Sequence, residues 1–191
     1  MTNHIDQLKA EYDVMVQYIP NNELSLLSDF NKNFRKVLLL ASGSYLEQAI
    51  TETLLDFFKN KSGNDLRIYS FLEKQALHRK YHTLFAWSDS NDSQLAWKSI
   101  KSFTRLFWEV FSNAVDIDMK IISTDSNTEM LKKEELKNAS EAFLEIGNLR
   151  NILVHSNFAA YNYLDKTTDE IYELFLKANY FVTYLKEKFM L

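Results

Sequence analysis

The chain has 191 residues, 46% hydrophobic and 14% aromatic, which is apolar surface enough for one packed domain and too much for a disordered segment. Three Gly and one Pro supply too few turn formers for the reversals of a sandwich or barrel, so an all-α fold is expected. The absence of Cys excludes disulfides, thiolate nucleophiles and Cys-ligated metal centres, and a net charge of −4 means that any contact with nucleic acid must rest on a local basic patch.

In chain order, Ile5, Leu8, Tyr12, Met15, Val16 and Ile19 recur at helical steps, and Pro20-Asn21-Asn22 stops the first helix. From Glu23 to about Phe58 the apolar positions stay in helical phase, which predicts the longest element, with Asn22 as its N-cap. Ser42-Gly43-Ser44 falls inside it, and a helix-interior Gly favours close packing of a second helix over a kink. Residues 61–65 form a turn, and Leu66 to Ala76 a helix with a short second piece around Tyr81, Leu84 and Phe85. Ser88 to Ser93 is a polar loop, Leu95 to Val115 another helix, and Asp116 to Thr128 a long loop without a clear period. Leu131 to Leu153 is helical and runs into Arg150-Asn151-Ile152-Leu153-Val154-His155. Residues 157–166 connect it to a last helix from Ile171 to Phe189, which Thr167-Thr168-Asp169-Glu170 opens as a capping box. One domain over 1–191 is expected, with residues 1–20 as an N-terminal helical appendage and 23–191 as the core.

The start MTNHIDQLKAEYD lacks the basic and apolar run of a signal peptide, and no stretch is long and apolar enough to span a bilayer, so a cytoplasmic location is expected. Phosphate-cradling Gly loops and Ser nucleophile motifs are missing, which disfavours nucleotide-dependent and acyl-transfer enzymes.

The segment EIGNLRNILVHSNF, with Arg150, Asn151 and His155 in the places of an Arg, a polar residue and a His, resembles the signature of the HEPN superfamily. Upstream, SYLEQAITETLLDF is similar to the first core helix of small bacterial HEPN proteins. The resemblance implies an up-and-down bundle of four to five helices plus an N-terminal helix, and a metal-independent endoribonuclease in which two copies of the motif line the cleft of a homodimer. It implies catalytic roles for Arg150, Asn151 and His155, no cofactor, RNA as substrate, and a toxin or antiviral defence role, often under a neutralising or regulatory partner protein. It also places an acidic residue at Glu47, which would pair with Arg150 or a neighbour in the motif across the helix packing, or else stand as an ordinary exposed Glu.

Self-cleavage of RNA through its 2'-hydroxyl needs a base, an acid and positive charge on the phosphate, and no metal; His and Arg meet these needs near neutral pH. A five-residue step turns a regular helix by about 500°, leaving Arg150 and His155 roughly 140° apart. Either His155 sits on a loosened last turn or the site is shared between two chains, with Gly147 allowing the close helix approach of such an interface. An Arg and a His near a helix C-terminus also suit the macrodipole and capping, and that structural reading stays open. So do a catalytically inactive HEPN module that binds RNA or nucleotide, or regulates a partner, and a helical interaction adaptor.

Around these, Arg67, Lys74, His78, Arg79 and Lys80 form the best local basic patch, either a track for RNA phosphates or a solvated helix face. His78 and His82 stand four apart, but no third ligand accompanies them and no metal is expected. Tyr161 and Tyr163 are placed to stack on unpaired bases or to cover the core.

Overall fold

The computed structural model describes residues 4–20, 22–63, 65–78, 84–85, 93–156, 158 and 165–190. Among these it contains seven α-helices and no strands: α1 His4–Tyr18, α2 Leu24–Lys61, α3 Leu66–Leu72, α4 Ser93–Arg105, α5 Glu109–Met119, α6 Asn127–His155 and α7 Thr168–Met190. A π-helical turn, Glu73–His78, continues α3.

The core is the seam where α2, α6 and α7 pack together. Leu39, Leu46, Ile50 and Leu54 of α2 meet Phe143, Ile146 and Leu153 of α6 and Ile171, Phe175, Ala178 and Leu185 of α7, all essentially closed to solvent. Burial of each such side chain stabilises by about 1.5–3 kcal/mol, so this stripe, and not helix propensity, holds the long helices. At one end Phe57, Phe107, Phe111 and Phe189 stack with centroids 4.7–6.1 Å apart. The first helix docks on this frame: Ile5 is buried, Lys9 pairs with Asp169 at 2.8 Å, and the Tyr172 hydroxyl donates to Asp6 at 3.0 Å.

The structure corrects the expected elements in three places. Asn22 does not cap α2. The Glu23 amide bonds back to Pro20 at 2.9 Å, closing a turn with Asn22 inside it, and Glu23 becomes the cap residue without a side-chain bond. The helix expected from Leu95 to Val115 is two helices. Bonds from Leu106, Phe107 and Trp108 back to residues 103–105 end α4, and Trp108 turns the chain at φ 111°. A buried Thr104–Ser112 hydroxyl bond of 2.9 Å clamps α5 against α4, and the break brings both Phe107 and Phe111 onto Phe189. The loop expected over 116–128 shrinks to 120–126, because α5 continues to a buried Met119 and α6 starts at Asn127. There Ser126 and Glu129 form a capping box, and Asp125 pairs with Lys133 at 2.9 Å.

Two expectations hold. Thr167 and Glu170 cap α7 reciprocally, with bonds of 2.7 and 3.2 Å. Through Ser42-Gly43-Ser44 α2 is unbroken, and the small residue serves packing. No helix among the described residues is long and apolar enough to cross a membrane.

Candidate functional site

α6 remains helical through the whole motif, with Ser156 as its C-cap. Arg150 and His155 therefore point to different sides of it, as the rotation of a regular helix requires.

Arg150 faces α2. A Cβ built on Gly43 would stand 2.9 Å from Arg150 Cγ and 3.0 Å from its Cβ, so the arginine stem lies in the space that the glycine leaves. One helical turn further along the same face of α2, Glu47 Oε2 pairs with Arg150 Nη2 at 3.0 Å, and both side chains stay partly open to solvent, at 39% and 31%. Arg150 Nη1 donates to Asn151 Oδ1 at 3.2 Å. The guanidinium is thus held from two sides, while its five-donor fork keeps further N–H groups available to an oxyanion.

His155 is exposed on the last turn and makes no side-chain hydrogen bond or ion pair with a described residue. Beside it Ile152 and Val154 are 40% and 52% exposed, whereas Leu153 between them is fully buried. Gly147 is half-buried one turn before Arg150.

The chain after the motif is tied to the frame at two points. Lys36 of α2, 1% exposed, donates from Nζ to the Phe158 carbonyl at 2.9 Å and stands 5.2 Å from the centre of that ring. At the far end of the connector Lys166 pairs with Glu145 of α6 at 2.7 Å. Burial, followed by repulsion from Lys32 and Arg35, holds the Lys36 ammonium below the usual lysine range. Lys36 escaped the sequence reading because lysine is surface by default. The available signal was its register: seven and eleven residues before Gly43 and Glu47, it shares their face of α2.

The remaining site residues do not join this group. Arg67 is 91% exposed and held by Asp65 at 2.8 Å, where Asp65 also caps α3. It follows the end of α2, whose Lys61 lies about 21 Å along the helix axis from Glu47. Lys74 is exposed on the π-helical turn. Arg79, Lys80, His82, Tyr161, Tyr163 and the side chain of His78 lie outside the described residues. No group of three or more His, Asp or Glu side chains among the described residues is arranged to hold a metal ion.

Compared with known proteins, residues 11–191 match the family model described as RiboL-PSP-HEPN. No curated protein matches the chain, and no solved structure does.

Proposed function

The chain belongs to the RiboL-PSP-HEPN family of the HEPN superfamily, and from that premise we propose that it is a metal-independent endoribonuclease whose site is shared between two copies of the chain. The observation that carries this reading is the division of the motif: Arg150 is seated against Gly43 and Glu47, while His155 stands unpartnered among described residues on the exposed last turn. One chain offers a phosphate clamp and a proton carrier facing different ways, and a second copy offers the complement. The half-exposed Ile152 and Val154 beside His155 give such a contact apolar surface.

In the mechanism, one His155 takes the proton from the 2'-hydroxyl, and the freed oxygen attacks the adjacent phosphorus. The His155 of the other copy gives a proton to the departing 5'-oxygen as the P–O bond breaks, leaving a 2',3'-cyclic phosphate and a 5'-hydroxyl. Arg150 neutralises the charge that builds on the non-bridging oxygens, oriented by Glu47 and Asn151. Expressed unrestrained, such an enzyme acts as a toxin or defence effector.

The test is cleavage of single-stranded RNA by purified protein in EDTA. Arg150→Ala and His155→Ala should each abolish it with helicity intact; undiminished cleavage by both variants refutes the assignment. One observation favours a non-catalytic module instead, namely that Arg150 already has a carboxylate partner in its own chain. RNA binding by the wild-type protein without cleavage would decide for that reading.

A further inference from the structure

Two contacts fix how α6 runs past α2. Arg150 sits on Gly43, and Phe158 sits on Lys36, so the chain from 150 to 158 travels antiparallel to α2 from 43 to 36. At about 1.5 Å per residue, His155 lies about 7.5 Å beyond Arg150 and Lys36 about 10.5 Å beyond Gly43. The α2 residues just past Lys36 therefore come level with the space that a strand leaving His155 would enter.

Those residues are cations that have no counter-charge among the described residues. Lys32, Arg35 and Lys36 stand at i, i+3 and i+4, neighbours on one surface of the helix. None of them has a carboxylate within 4.0 Å among the described residues, in a chain whose net charge is −4. Elsewhere eight described cations have a carboxylate within 4.0 Å, Lys9 with two and Lys133, Lys166 and Lys188 with one each. Arg35 Nε is buried with no acceptor among the described residues. A buried donor without an acceptor is costly, and three adjacent cations repel one another besides. Lys32 and Arg35, with Ser28 and Asn31, line a groove of about 420 Å³. Asn31 accepts the Tyr12 hydroxyl on Oδ1 at 2.7 Å, which leaves its amide nitrogen as a donor.

We propose that Lys32 and Arg35 form a phosphate-binding subsite for the RNA strand next to the cleaved bond, with Lys36 as a positioning residue that latches the segment after His155 beside it. An RNA phosphate supplies what the groove lacks, an anion with several acceptor oxygens for Arg35 and Lys32 together. Because single-stranded RNA carries its charges at regular spacing, one cationic stripe beyond the reacting phosphate holds the strand in register without reading its sequence.

This rests on the ribonuclease reading for its substrate, and the test separates the two. Affinity of the full chain carrying His155→Ala for a short fluorescein-labelled single-stranded RNA is followed by anisotropy across a salt series. Adding Lys32→Gln and Arg35→Gln should weaken binding and flatten the log–log salt slope by about 1.4, since each single-strand phosphate left without its cation takes about 0.7 from the slope. Lys32→Arg, which keeps the charge, should keep the slope. Because Arg35 is partly buried, Lys32→Gln alone is measured too and should take about half of the change. An unchanged slope in folded variants overturns the subsite even where the wild-type protein cleaves RNA, and so does preference for a poly-glutamate peptide over RNA. Absence of wild-type cleavage overturns the nuclease reading while the salt slope still reports on the groove. In cleavage, Lys32→Gln should raise KM and leave kcat at saturating RNA unaltered.

Discussion

Gly43→Ala probes the joint between the two halves of the site. In most helix interiors this change stabilises, because Ala exceeds Gly by about 0.8–1.0 kcal/mol in helix propensity. Here the new methyl group would meet Arg150 Cγ at 2.9 Å and Cβ at 3.0 Å, the stem of the side chain and not its movable tip. Forcing a methyl group into a packed contact costs about 1–3 kcal/mol. Since the stem cannot swing aside without breaking the 3.0 Å bond to Glu47, the upper part of that range applies, and the net loss expected is about 1–2 kcal/mol. For a chain of this size that lowers Tm by roughly 2–8 °C. Thermal unfolding followed by far-UV circular dichroism measures it. In an Arg150→Ala background the Cγ is gone, so the same substitution should cost less, with a coupling of about 0.5 kcal/mol or more between the positions. A rise in Tm for Gly43→Ala, or strict additivity with Arg150→Ala, refutes the packing of Arg150 on Gly43.

Lys36→Met exchanges a buried ammonium for an apolar side chain of similar length, and should leave Tm unchanged or higher while impairing RNA cleavage through the loosened Phe158 segment; a large fall in Tm contradicts this. Because the folded-state pKa of Lys36 is depressed, the unfolded chain binds the extra proton below its ordinary value of 10.5. Wild-type stability should therefore gain as pH rises towards that value, and Lys36→Met should remove the gain in urea titrations across that range. Tyr184 behaves oppositely. Burial and its 2.7 Å bond to Asp118 push its ionisation far above the usual 10.0, so its contribution is complete below pH 10 and lost above it, and Tyr184→Phe should flatten that alkaline loss. Trp108 holds φ 111° as a residue 71% exposed, a conformation that costs a non-Gly residue about 1–3 kcal/mol; Trp108→Gly should keep or raise Tm, and a clear fall shows that the packing of the side chain outweighs the strain.

The features legible in the sequence were those that one element reveals by itself. The apolar phase of α2 and α7, the Thr167–Glu170 cap and the Arg150–His155 spacing each depend on a single stretch of chain. Glu47 and Gly43 were half legible: an acid and a small residue four apart on a long helix invite a partner, but only the fold brings Arg150 to both. What stayed hidden depends on tertiary contacts that override local preference. No Gly or Pro marks the break before α5, since the Thr104–Ser112 bond and the packing on Phe189 impose it on a tryptophan. Ser126-Asn127-Thr128-Glu129 carries a capping box as plain as the one at Thr167, yet its polar surroundings read as loop. Lys36 is hidden most completely, because a lysine among apolar neighbours gives no sign that its ammonium ends on a carbonyl 122 positions later.

Everything proposed for the reaction depends on Arg150 and His155 acting together across two chains. Mixing wild-type protein with an excess of the inactive His155→Ala variant, under conditions that let subunits exchange, tests that dependence. In a mixed pair only one of the two histidines that the reaction needs is present, so cleavage should fall with the square of the wild-type fraction, well below what dilution alone gives. Activity that falls only in proportion to the wild-type fraction, with exchange verified, would contradict a shared site.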